Sequence, residues 1–301
     1  MSARRRTVLV FAAMCLIWGS TFVAVKTGLE GTPPLLGVAL RQLLASLVIL
    51  GVLWRMGFSL PTDGLALKQY FTVGLMNFSF SYSLTYLGTQ FIYSNISSLL
   101  WSSVPITTAL AAHLFLPKER MTISKAVGIA VGFGGVSIIF LGYGGTGENP
   151  NLLLGMSLVF GAVLFGTWPP IYLKMHGSQS TPLVLTFAGT GIGGVATLIL
   201  SLVFEDVGSM VISPLNIGLI VYLALFGTAL AWVAYFYLLD YVEAVKVSFV
   251  GFIAPIIATF MGIIVLGEQL SPVVYLGALL VLVGIYITDA RRFTRIILQR
   301  A

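Results

Sequence analysis

The sequence predicts an all-α membrane protein, with ten transmembrane helices in two inverted five-helix repeats. Three observations predict it. Hydrophobic residues make up 58% of the 301-residue chain and charged residues only 9%, against roughly 25% charged in soluble domains. Apolar runs of about 20 residues, the length that crosses a bilayer, recur ten times. Finally, two stretches half a chain apart repeat each other.

The repeat is read directly. PITTALAAHLFLPKERMTISKAVGIAVGFGG starts at Pro105 and PIIATFMGIIVLGEQLSPVVYLGALLVLVG at Pro255. Pro105 and Pro255 are 150 apart; after the loss of one residue in the turn, Glu119 and Glu268, Thr122 and Ser271, Gly128 and Gly277, and Gly135 and Gly284 are each 149 apart. Weaker echoes pair Trp18-Gly19-Ser20 with Phe165-Gly166-Thr167, and Ser98 with Ser248. In a chain this hydrophobic, an internal duplication marks a transporter. The halves divide as residues 1–146 and 147–301. Five spans per half is an odd number, so the second half inserts upside down, which is the physical basis of alternating access.

The spans follow in order. Span one, 7–27, comes after Arg4-Arg5-Arg6; no small-residue cleavage site leads into a soluble remainder, so it reads as a span and not a signal peptide. Gly31-Thr32-Pro33-Pro34 breaks the chain before span two, 35–54, which holds Arg41, the one charge clearly inside a span. Arg41 either meets a substrate carboxylate, or snorkels and caps neighbouring carbonyls.

Span three, 69–88, has a polar stripe, Asn77, Ser81 and Thr85, beside an aromatic one, Phe78, Tyr82 and Tyr86. An amide and a phenol at mid-bilayer suit a polar head group while rings enclose a side chain; bonding to neighbouring helices is the alternative. Span four, 93–116, sets Ser94, Ser98, Trp101, Ser102 and Pro105 on one helical face. That face is either a substrate surface with a Trp wall or a close packing seam. Pro105 removes an intrahelical hydrogen bond and frees a carbonyl. His113 closes this span as an interfacial histidine or a relay.

Span five, 123–142, carries Gly128, Gly132, Gly134 and Gly135, small residues for close helix contact. Gly144-Gly145-Thr146-Gly147 then breaks the chain. Span six, 152–174, has Trp168 before Pro169-Pro170, a kink that serves as a hinge or a fixed bend. Span seven, 182–204, presents Gly189, Gly193 and Gly194. Span eight, 215–239, offers Thr228, Trp232 and Tyr235 at i, i+4 and i+7. Span nine, 245–266, repeats the proline theme with Ser248, Phe252 and Pro255, and span ten covers 272–289.

Basic residues set the orientation. With a cytoplasmic N-terminus, 14 of the 16 Lys and Arg fall inside, Lys26 falls outside and Arg41 is buried. Both termini are then cytoplasmic in a cell (inner) membrane. The net charge of +6 is scattered over short loops, so no nucleic-acid partner is expected; the partners expected are a small-molecule substrate and membrane lipid, in a monomer or homodimer.

Ten spans, IWGSTFVAVK in span one, Arg41 within LLGVALRQLLASLVIL, and the Pro105 and Pro255 helices followed by Glu turns resemble the EamA-type transporters of the drug/metabolite transporter superfamily. The resemblance runs over nearly the whole chain. It implies a basket of helices around a central cavity, spans five and ten at the periphery, and export of amino acids or related metabolites; the aromatic-rich interior is most similar to the neutral and aromatic amino-acid exporters. Another metabolite class (nucleobase, sugar or drug) and a channel-like facilitator are the alternatives.

The candidate substrate-binding residues are Asn77, Ser81, Tyr82, Ser98, Trp101, Ser102, Trp168, Thr228 and Trp232, with Pro105, Pro169 and Pro255 as hinges. All ten acids fall in loops or at span ends, which favours facilitated diffusion or exchange over proton coupling. One Cys, two His and no mid-membrane carboxylate make no metal site, and no cofactor is expected. An intramembrane enzyme would need paired acids, a nucleophile with a base, or H-E-x-x-H, and none is present.

Overall fold

In a computed structural model, residues 3–117, 121–144, 151–241, 244–247, 250–268 and 272–298 are described. Glu119, Glu148, Glu243, Ser248 and Ser271 lie outside them, as does the side chain of Phe252. The regular structure of the described residues is helical, in a short 3₁₀ turn at Val207–Ser209 and ten rods. These are α1 (Ala3–Gly28), α2 (Pro34–Arg55), α3 (64–89), α4 (Ser94–Phe115), α5 (Ile123–Gly144), α6 (Leu152–His176), α7 (Pro182–Phe204), α8 (Pro214–Tyr241), α9 (Ala244–Val247 and Val250–Leu266) and α10 (Pro272–Leu298). Six of them, α1, α2, α4, α6, α7 and α8, are long and apolar enough to cross a membrane; α5, α9 and α10 contain shorter apolar helices. Leu47 and Trp54 of α2, Leu202 and Phe204 of α7 and Ile264 of α9 stand exposed on the outside. A surface so apolar suits lipid and not water.

Starts and stops have local causes. Asp63 caps α3, its carboxylate accepting from the Leu65 and Ala66 N–H groups, so the rod begins at Gly64, five residues before its apolar run. Thr181 and Ser213 cap α7 and α8, each followed by proline at the first helical position, where the missing N–H costs nothing. At the other extreme α10 runs on to Leu298, past the apolar stretch: backbone hydrogen bonding continues where the lipid-soluble pattern has ended.

Two rods depart from α-helix in their middles. Thr72–Ser81 of α3 and Leu225–Leu230 of α8 are π-helical, a form that is rare and concentrated at functional sites. The wide turns leave carbonyls for side chains to take. Gln42 Nε2 donates to Phe78 O at 2.5 Å, while its neighbour Arg41 donates to Leu223 O and to Thr228 Oγ1. Consecutive residues of α2 thus reach the wide segments of two different rods.

α4 also breaks. Its helix stops at Trp101 and restarts at Val104, with Pro105 in the new first turn. The carbonyl four residues before Pro105 is that of Trp101; a Cβ on Gly251 of α9 would lie 3.4 Å from it. Gly251 therefore lets α9 come close to the interrupted backbone. α6, by contrast, runs as one helix through Pro169 and Pro170, both buried.

The rods pack α5 on α10, α2 on α7, α1 on α9, and α6 on both α3 and α4. Glycines set the closest approaches. A Cβ on Gly135 would sit 2.5 Å from the Gly277 carbonyl, and one on Gly284 would sit 2.5 Å from the Gly128 carbonyl. One end of the bundle is tied by charges. Glu268 accepts from Ser94 N–H (2.6 Å), Ser94 Oγ–H (2.8 Å) and Asn95 N–H (3.1 Å) at the start of α4. Glu205 does the same for Leu35 and Leu36 N–H at the start of α2, and Lys26 Nζ donates to the carbonyls of Thr89, Gln90 and Ile92. Anions at helix N-termini and a cation on terminal carbonyls both follow the helix dipole.

Candidate functional site

A cavity of about 130 Å³ lies among α1, α2, α3, α4, α6, α8 and α9. An engineered apolar cavity of about 150 Å³ admits benzene, so this one is sized for a small ring compound. Among the described residues, α5, α7 and α10 contribute none to its lining.

One wall is aromatic. The Trp232 ring centroid lies 5.2 Å from that of Trp18, 5.0 Å from Tyr235 and 5.1 Å from Phe78. Tyr82 closes the group, its hydroxyl accepting from Trp232 Nε1 at 2.6 Å. Since that oxygen accepts from the indole, its own O–H proton stays available to another acceptor. Trp101 of α4 also lines the cavity. A Cβ on Gly166 of α6 would press on its ring at 3.1 Å, so the glycine makes room for the indole.

The polar groups of the cavity are mostly donors. Arg41 is buried; Nε donates to Thr228 Oγ1 at 3.0 Å, Nη1 to Tyr86 OH at 3.0 Å and Nη2 to Leu223 O at 3.3 Å. Its guanidinium carbon lies 4.9 Å from the Tyr82 ring centroid. Asn77 Nδ2 and Trp101 Nε1 are buried with no hydrogen-bond partner. Unsatisfied buried donors are uncommon and costly, and two of them line the same cavity.

The candidates of the sequence separate into groups. Asn77, Tyr82, Trp101, Trp232 and Pro255 line the cavity. Thr228 does not; it holds Arg41 and donates to Leu223 O at 2.9 Å. Ser98 and Ser102 bond back to Asn95 O and Leu99 O in their own helix. Ser81 donates to Ala162 O of α6 at 2.7 Å, a bond between rods. Trp168 lies apart from the cavity against Phe115, at 4.9 Å and edge-on. Pro105 and Pro169 are buried behind it. The π-helix explains why the stripe Asn77-Ser81-Thr85 divides: it widens the turn, Tyr82 N–H bonds Asn77 O at i+5, and Asn77 comes into line with Tyr82 while Ser81 turns to α6.

Other lining residues come from α1, namely Trp18, Thr21, Phe22 and Val25. Their spacing of i, i+3, i+4 and i+7 is a helical face, a signal present in the sequence but masked by the uniform apolarity of the run. Among the described residues no group of three His, Cys, Asp or Glu could hold a metal.

The EamA-like transporter family model matches residues 5–141 and, a second time, residues 153–288. The chain belongs to the EamA-like transporter family. It is 29% identical over 282 residues to the uncharacterized transporter YoaV of Bacillus subtilis, covering 93% of this chain and 96% of that protein. It is 28% identical to the uncharacterized inner membrane transporter YedA of Escherichia coli K12, covering 96% and 94%. A solved crystal structure matches the fold with a TM-score of 0.71 at 17% identity, covering 96% of this chain and 99% of that one. The protein is a multi-pass membrane transporter and not an enzyme.

Proposed function

We propose that this EamA-like transporter is a secondary carrier that exports small metabolites, neutral or aromatic amino acids first among them, by alternating access around the cavity. In this reading all ten rods cross the inner membrane, both termini are cytoplasmic, and 1–146 and 147–301 are inverted halves of a monomer or homodimer. Asn77, Tyr82, Trp101 and Trp232 contact substrate, and Pro105, Pro169 and Pro255 flex as the halves rock.

The observation that carries the substrate class is the aromatic cavity with unpaired polar groups: rings to stack on a side chain, and donors to orient a polar head. Inversion is supported by reciprocal contacts. Shifting by 149 residues turns the Gly135–Gly277 contact into Gly284–Gly128, and both approaches occur. Likewise the π-segments end at Ser81 and Leu230, 149 apart. Two halves related in this way have inward-open and outward-open arrangements of similar energy.

Purified protein in liposomes, loaded with one unlabelled compound and offered the same compound labelled, tests the reading over amino acids, nucleobases and sugars. Transient accumulation is expected for phenylalanine, tyrosine or tryptophan. Accumulation restricted to sugars or nucleobases would replace the substrate class.

A further inference from the structure

We infer that the cavity reads its substrate through an acceptor-bearing, anionic head group, and does not read an α-ammonium group. Aromatic monocarboxylates lacking an amino group are therefore ligands alongside aromatic amino acids. This rests on the carrier reading above and narrows its substrate class.

The donors and acceptors of the cavity are out of balance. Arg41 is buried, and among the described residues its hydrogen-bond partners are a hydroxyl, a phenol and a backbone carbonyl. A guanidinium has five N–H donors in a planar fork suited to a carboxylate, and three of them are used. Asn77 Nδ2 and Trp101 Nε1 add unpaired donors, and the Tyr82 hydroxyl, already accepting from Trp232, has a proton to give. Leu223 O accepts from Arg41 and Thr228, and Gly227 O from Trp18 Nε1, while Pro105 leaves the Trp101 carbonyl without its usual intrahelical donor. Among the described residues, no Asp or Glu lines the cavity. An anionic head group suits this set of donors, whereas an ammonium would find none of the carboxylates that usually hold it.

A competing reading is an aromatic cage for an organic cation, which rings can hold through their faces. Arg41 argues against it. Its charge already lies over the Tyr82 ring at 4.9 Å, so a second cation there meets a like charge in a poorly screened site.

Binding to the full-length protein in detergent, followed by tryptophan fluorescence or thermal shift, decides the matter with four compounds. These are phenylalanine, 3-phenylpropionate, 3-phenylpropanamide and phenethylamine. We expect 3-phenylpropionate to bind within a few-fold of phenylalanine, and phenethylamine to bind at least about tenfold more weakly. Arg41→Gln should abolish the preference for 3-phenylpropionate over its amide, and Arg41→Lys should keep it in part. If Arg41→Gln fails to fold, the four compounds on the unaltered protein still decide. Phenethylamine binding as well as 3-phenylpropionate overturns the inference and leaves the aromatic carrier standing, as does phenylalanine binding more than about tenfold better than 3-phenylpropionate. If no ring compound binds or exchanges, the aromatic carrier and the inference fall together.

Discussion

Trp101 and Asn77 carry distinguishable parts of recognition. Trp101 offers a ring face from α4 and Asn77 an unpaired amide from α3. Ring–ring contact is worth about 0.5–1.5 kcal/mol beyond simple burial. Trp101→Ala should then raise the apparent KM of aromatic substrates about 2- to 12-fold while leaving small aliphatic ones nearly unchanged. Asn77→Ala removes a donor to the head group and should weaken both alike, by about 0.5–1.5 kcal/mol. Concentration-dependent uptake into proteoliposomes measures both. Unchanged KM and selectivity in both variants would make these packing residues. Trp168, held against Phe115 away from the cavity, serves as the comparison: Trp168→Phe should leave selectivity where it is.

At the scale of the element, the closest helix contacts discriminate between neighbouring glycines. Gly135 has the Gly277 carbonyl 2.5 Å from where its Cβ would be, and Gly134, next to it, has nothing within 4 Å. Gly135→Val should destabilise the α5–α10 pair by about 1–3 kcal/mol, as overpacking does, and Gly134→Val should not. Thermal unfolding in detergent compares them; equal melting temperatures would mean that α5 and α10 are not held by this seam. The same elements show what the sequence could reveal. Apolar runs give the rods, because span length is a matter of bilayer thickness. The glycine pairs 149 apart give the seam, because duplication copies contacts as well as residues. The π-helices of α3 and α8 were not legible. A 3.6-residue period fits Asn77-Ser81-Thr85 as one stripe, and only tertiary bonds such as Gln42 to Phe78 O reveal the wider turn. The serines of α4 show the same limit of sequence patterning: a hydroxyl in a helix can bond to the turn before it, and Ser98 and Ser102 both do. Arg41 was visible as a lone buried charge, but its place beside Tyr82 and Tyr86 depends on how α2 meets α3 and α8.

For the whole molecule, inversion of the halves is a statement about sides. The proposed ten-span arrangement puts 14 of 16 basic residues on one side, and in it reporter fusions after Asn151 and at the C-terminus should report opposite faces of the membrane. Agreement between them would break either the count of ten crossings or the inversion. Alternating access asks for more, that one cavity be reached from each face in turn. Val104 of α4 lines the cavity, and the single native cysteine, Cys15, is buried. A Val104→Cys variant in a Cys15→Ser background gives one reporter at the site. Membrane-impermeant maleimide should label it from the cytoplasmic face in one set of vesicles and from the opposite face in inverted ones, with substrate slowing both. Labelling from one face alone, with and without substrate, would contradict a carrier that alternates around this cavity.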